Sequence, residues 1–184
     1  NFTNNLKKLE LAYSKAEFIL SYSSDISECI KLNFPKLKTE IIKIKYSIAS
    51  NSIKKRVRKK NLITYMSRKL PVHSNHVVLL LKKYLPKNWN IKDLNNIDEK
   101  LVYRNLQESK VFLAFSNLEG LPLPPVEAAL AGNYVVGYTD EGGKDYWKKP
   151  IFTEIYSGDI RNFVKKTLEK VNKYNYKNKI LKQQ

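Results

Sequence analysis

Cysteine is almost missing from these 184 residues: Cys29 stands alone. One thiol excludes an internal disulfide and fits a reducing compartment. Histidine is nearly as scarce, and His73 and His76 have no carboxylate or cysteine neighbour at ligand spacing, so a zinc-type site is not expected. Acidic residues number 17 against 34 lysines and arginines. No apolar run approaches the roughly 20 residues that span a bilayer. The start at Asn1 lacks the basic-then-apolar pattern of a secretory leader. A cytoplasmic setting, with peripheral attachment at the inner face of a membrane as its variant, is therefore the expectation. Ser116 has no histidine–acid pair near it in sequence, which speaks against nucleophilic catalysis.

What is present is enough for one domain with an appendage, since 42% of residues are hydrophobic. The net charge of +17 alone suggests an acidic partner. Lysine, however, greatly outnumbers arginine and is spread along the chain with many Asn, Ile and Tyr, as adenine- and thymine-rich coding would produce. The run Lys54-Lys55-Arg56-Val57-Arg58-Lys59-Lys60 reads as a solvated linker or as a grip on nucleic acid or anionic membrane. It divides the chain into 1–48, a linker at 49–60, and 61–184.

Before the linker, Leu6, Leu9 and Tyr13 recur at helical spacing behind Thr3, a candidate cap. Phe18 to Tyr22 reads as a strand, Asp25 to Leu32 as a helix, and Glu40 to Ile48 as an alternating strand. After it, strands are expected at Leu62–Met66, Trp89–Leu94, Val111–Phe115, Tyr134–Tyr138 and Ile151–Ile155. Helices are expected at Asn75–Leu85, from the Asp98 cap to Ser109, at Val126–Ala131 and at Asp159–Asn172, with a glycine loop over Asp140–Trp147 and a frayed tail after Tyr174. Strands alternating with helices predict an α/β fold with a Rossmann-like, doubly wound parallel sheet. Ligands on such sheets sit beyond the carboxyl ends of the strands. The loops Ser67–Asn75, Ser116–Pro124 and Thr139–Asp145 all fall there, so they should converge.

The centre of that edge is Ser116 to Gly132. Val111–Phe115 leads into it, Pro124 is expected to be extended, and Pro125 suits the first helical position. Glu127 is then expected in the first helical turn. Glu119 and Glu127 flank a loop and a helix N-terminus whose N–H groups favour an anionic, polyhydroxylated ligand. Simple helix capping would use the same glutamates. Gly142 and Gly143 suit either a close ligand approach or a plain turn. Tyr146 and Trp147 read as core or domain-contact aromatics.

The motif Glu119-Gly120-Leu121-Pro122-Leu123-Pro124-Pro125-Val126-Glu127-Ala128, followed by Ala129-Leu130-Ala131-Gly132, resembles the donor-site signature of the retaining group 1 glycosyltransferases. Those enzymes pair two Rossmann-like domains in the GT-B arrangement. Asn133 to Tyr138 with Gly142-Gly143-Lys144-Asp145 looks like the next strand and glycine loop of a subgroup. Tyr65-Met66-Ser67-Arg68-Lys69 looks like the start of the donor domain.

The resemblance implies a nucleotide-sugar-dependent transferase, represented mainly by its donor half. Residues 1–48 would then be the remnant of the acceptor domain. Glu119 would contact the transferred sugar, and Glu127 the nucleotide ribose. Amides of Gly120, Leu121 and Leu123 would face the sugar and diphosphate, near Gly142 and Gly143. Arg68, with Lys69, would neutralise the diphosphate leaving group. Cations and a helix dipole do this in the family, so neither metal nor cofactor is expected, only the nucleoside-diphosphate sugar and a saccharide or lipid-linked acceptor. No specific nucleic acid is expected. Three departures stand out. His73 occupies the place of the family's usual lysine, Pro122 replaces the loop's second glycine, and most of the acceptor domain is absent. The chain would be part of a longer enzyme or work with a separate acceptor chain.

Overall fold

The structure, a computed structural model, describes residues 5–45 and 57–180. Thr3, the end of the expected strand at 46–48 and the first three residues of the basic run, Lys54 to Arg56, lie outside the described residues.

The first portion runs α1 (Leu6–Lys15), β1 (Phe18–Ser21), α2 (Ser24–Asn33), β2 (Glu40–Lys43). Asn5 caps α1, its side chain accepting the Lys8 N–H at 3.0 Å. Ser23 caps α2 through the Ile26 N–H. The two strands pair in parallel, Phe18 opposite Glu40. Ile19, Ile30 and Phe34 form a small core on one face of this sheet. The other face leaves Phe18 and Leu20 about half exposed, at 48% and 52%.

The second portion runs β3 (Leu62–Tyr65), α3 (Pro71–Tyr84), β4 (Asn90–Asp93), α4 (Glu99–Glu108), β5 (Val111–Phe115), α5 (Leu123–Leu130), β6 (Tyr134–Tyr138), α6 (Asp140–Gly143), β7 (Phe152–Glu154), α7 (Ile160–Ile180). Its five strands are all parallel in the order β4-β3-β5-β6-β7. β5 lies at the centre, and all five of its residues are buried, as a strand covered on both faces requires. Alternation divides them. Val111, Leu113 and Phe115 join the core under α3 and α7, with Val77, Leu81, Phe163 and Val171. Phe112 and Ala114 join the opposite core, with Leu106 of α4 and Ala128 of α5. Each fully buried aliphatic side chain contributes roughly 1.5–3 kcal/mol. The expected doubly wound α/β sheet is therefore present.

Several boundaries differ from expectation. α3 begins at Pro71 rather than Asn75, because a proline at the first position needs no hydrogen bond there. α5 begins at Leu123, so Pro124 is helical rather than extended and Glu127 sits in the second turn, not the first. The expected glycine loop opens with the short helix α6. α7 continues past Tyr174 to Ile180. Tyr146 and Trp147 pack with Phe152, as core aromatics should.

The two portions meet beside the carboxyl edge of the larger sheet. Asp145 accepts the Ser24 N–H at 2.9 Å and pairs with Lys43 at 2.8 Å. Ile26 lies so close to Gly120 that a Cβ there would fall 2.5 Å from its Cδ1.

Candidate functional site

The chain runs from β3 outward to β4, returns across the sheet to β5, and continues through β6 to β7. The direction thus reverses between β3 and β5, and in an open parallel sheet the carboxyl end of that switch point is where a crevice forms. A cleft of about 210 Å³ occupies this place. Met66, Arg68 and Lys69 line it from the β3 end, and Phe115, Ser116, Glu119, Leu121, Leu123 and Pro124 from the β5 end and the head of α5. A larger, shallower hollow of about 730 Å³ lies on the flank between α3 and the start of α7, beside Leu80 and Lys165. None of the candidate site residues lines it.

Inside the cleft, the Lys69 ammonium is paired with the Glu119 carboxylate. Burial foremost, and then neighbouring Arg68, pull Lys69 below the ordinary lysine value, while Asp140 opposes them. The Glu119 N–H donates to the Asp140 carboxylate, across from the end of β6. Gly142 packs directly on the carbonyls of Glu119 and Gly120, leaving no room for a side chain. Gly143 is buried against Thr139 and Pro122. The Tyr146 hydroxyl donates to the Pro122 carbonyl at 2.7 Å. The loops after β3, β5 and β6 therefore do converge. Gly142 and Gly143 serve this loop-to-loop packing.

Glu127 stands apart from the cleft lining. It is half-buried between α5 and α4, and its Oε1 accepts the Tyr103 hydroxyl at 3.2 Å. Burial is the main cause that raises its carboxyl above the usual range; the Tyr103 hydrogen bond opposes it and Glu99 adds to it. The same environment pushes the Tyr103 phenol up to about 12. The cleft thus gathers Arg68, Lys69, Glu119, Leu121 and Leu123, while Gly120 turns toward Ile26 and Glu127 toward Tyr103.

The helix N-terminus is a poorer anion site than its position suggests. Pro122 is its cap, and Pro124 and Pro125 occupy its second and third positions. Prolines carry no N–H, so only Leu123 and Val126 retain one among the first four helical residues. Positive charge at this edge therefore falls to Arg68 and Lys69. His73, where a further cation was sought, instead lies 3.1 Å from the Tyr138 hydroxyl through Nδ1.

Sequence reasoning missed Asp140 and Tyr103. An acidic residue two positions after the strand Tyr134–Tyr138 was the available signal for the first. Tyr103 had none, because its contact with Glu127 depends on how α4 meets α5.

No family model and no curated protein matches this chain. Solved structures do. The pneumococcal O-GlcNAc transferase GtfA, crystallised with UDP and GlcNAc, superposes with a TM-score of 0.64 at 16% identity, covering 96% of this chain and 42% of that one. A variant of S. aureus TarM, in complex with fondaparinux, alpha-GlcNAc-glycerol and UDP, gives a TM-score of 0.64 at 17% identity, covering 93% of this chain and 40% of that one. Both are GT-B glycosyltransferases, and the fold of this chain is of that kind. The chain spans about two-fifths of the length of either neighbour.

Proposed function

We propose that this chain is the donor-binding half of a retaining group 1 glycosyltransferase, transferring a sugar from a nucleoside-diphosphate sugar to a saccharide or lipid-linked acceptor. Residues 61–184 form the donor domain, 49–60 a linker, and 1–48 the remnant of the acceptor domain. The rest of that domain lies on a longer chain or a separate one. The protein works in the cytoplasm or at the inner face of a membrane. The observation that carries this reading is the meeting of Arg68, Lys69 and Glu119 at the switch-point cleft, on a fold shared with proteins crystallised with UDP.

Arg68 and Lys69 face the diphosphate, where negative charge grows as the bond from the sugar to the phosphate breaks. That charge is met by side chains because the prolines strip the helix of donors, and no metal is called for. The acceptor oxygen attacks from the face the phosphate leaves, which retains configuration. On diphosphate binding, Lys69 exchanges Glu119 for phosphate oxygen, freeing the Glu119 carboxylate to accept from sugar hydroxyls. Amides of Gly120, Leu121 and Leu123 face the same ligand. Glu127 accepts from the ribose.

Calorimetric titration with uridine, guanosine and adenosine diphosphates and their sugars tests this. At least one should bind, and Glu127→Ala should weaken it by about tenfold or more, as loss of a hydrogen bond to a buried charged group does. Binding by none, or binding indifferent to Glu127→Ala, refutes the reading. Affinity should also fall as pH drops through the raised Glu127 value, because protonation removes an acceptor. Tyr103→Phe removes the bond that favours the carboxylate, so the loss should move to higher pH.

The rival reading, a basic module that grips nucleic acid or membrane through Lys54 to Lys60, is disfavoured by the described part of that run. Lys59 is spent on three backbone carbonyls and Lys60 on Glu108. A nucleotide-binding domain without turnover is the remaining alternative. Transfer by the full-length protein to an added acceptor would exclude it.

A further inference from the structure

Glu119 is held from two sides by backbone in an uncommon conformation. Leu118, just before it, has φ 52°, and Asp140, which accepts its N–H, has φ 58°. Both lie in the left-handed region that a Cβ disfavours. Leu118 gains no burial in return, for it is 81% exposed. Glycine or asparagine would take either place at lower cost.

Asp140 is further loaded by desolvation. Burial pushes its carboxyl up, while the Glu141 N–H, donated to Oδ1 at 2.8 Å, and more weakly Lys69 hold it ionised. Its other oxygen, Oδ2, takes the Glu119 N–H. Two residues on, Gly142 seals α6 against the carbonyls of Glu119 and Gly120. Backbone strain and a desolvated carboxylate in one residue persist where surrounding structure enforces them, and such features gather at working sites.

We propose that Asp140 is a positioning residue: by accepting the Glu119 N–H it fixes the backbone of the Glu119 loop and presents the Glu119 carboxylate to the cleft beside Lys69, where a sugar is read. This rests on the reading of the cleft as a nucleotide-sugar site, and adds to it a residue that touches no ligand. Its effect falls on the sugar, through Glu119, and not on the nucleotide.

The test compares wild type, Asp140→Gly and Asp140→Asn in two measurements: amide exchange of the 116–122 segment in the free protein, and titration with uridine, guanosine and adenosine diphosphates beside their glucose and N-acetylglucosamine conjugates. In Asp140→Gly the Glu119 amide should exchange about tenfold faster or more, as loss of a hydrogen bond to a charged acceptor implies. Affinity for the bare diphosphate should stay within about twofold, while the added affinity for the conjugate is lost, a split that general damage to the fold would not produce. Asp140→Asn keeps an acceptor and tolerates left-handed backbone, so it should retain part of the preference. Binding of neither diphosphate nor conjugate by wild type sinks the glycosyltransferase reading and this proposal with it. Unchanged exchange, or an intact preference for the conjugate in Asp140→Gly, overturns the positioning role alone and leaves that reading standing.

Discussion

The two edges of the five-stranded sheet are built on opposite terms. At the amino edge the buried side chains of Asn133, Ser109 and Thr64 are hydrogen-bonded to one another and to backbone. Asn133 accepts from Ser109 Oγ at 2.7 Å and donates to the Leu106 and Ala128 carbonyls at 2.7 and 2.9 Å, while Thr64 donates to Ser109. Lys59 closes the ends of α4 and α5 by donating to the Leu106, Ser109 and Ala131 carbonyls. An ammonium between two helix C-termini suits both dipoles. At the carboxyl edge lie three left-handed non-glycine residues, Asn96, Leu118 and Asp140, and carboxyls raised by burial at Asp140 and Glu127. The first edge is satisfied and the second is loaded, which teaches that satisfied polar groups and backbone strain occupy opposite ends of the same strands.

Substitutions at the amino edge should cost stability and leave nucleotide affinity alone. Asn133→Ala strips three hydrogen bonds from a buried site, so unfolding in urea should show a loss of about 3 kcal/mol. An equal loss of nucleotide affinity in the folded variant would break the comparison. Lys59→Met should cost about 2 kcal/mol, lowering the melting temperature by roughly 4–8 °C. Burial holds the Lys59 ammonium down to about 8. The unfolded chain therefore binds more protons between there and the ordinary lysine value, and wild-type stability should rise with pH across that window. The rise should disappear in Lys59→Met. The smallest effect belongs to the loaded edge and has the opposite sign. Leu118→Asn relieves left-handed strain and an exposed leucine, so thermal melts should show a gain of about 0.5 kcal/mol. A loss there would mean that Leu118 does something its exposure conceals.

What could be read beforehand was local. Asp98 caps α4 because its side chain reaches the Lys100 N–H two residues on, and that geometry needs nothing distant. Val111–Phe115 and Tyr134–Tyr138 were legible as buried strands from their apolar runs. Glu119, Arg68 and Lys69 were legible as a group because parallel topology sends the ends of β3 and β5 to one edge. The start of α5 was misjudged because the loop, folded against Gly142 and Tyr146, lets the helix begin at Leu123. α6 was missed for a related reason. Four residues containing two glycines have no propensity to nucleate a helix, and packing on the Glu119 loop supplies it.

By itself the chain's pattern determined the class of fold, the central strands and the edge at which Arg68, Lys69 and Glu119 gather, since periodicity, caps and strand–helix alternation act over a few residues. Tertiary structure alone decided which side chains meet. Tyr103 reaches Glu127 across 24 positions and Asp140 reaches Glu119 across 21, and Lys59 reaches carbonyls up to 72 positions away. Such contacts arise when packing removes water and leaves a buried donor or acceptor no partner but a distant one.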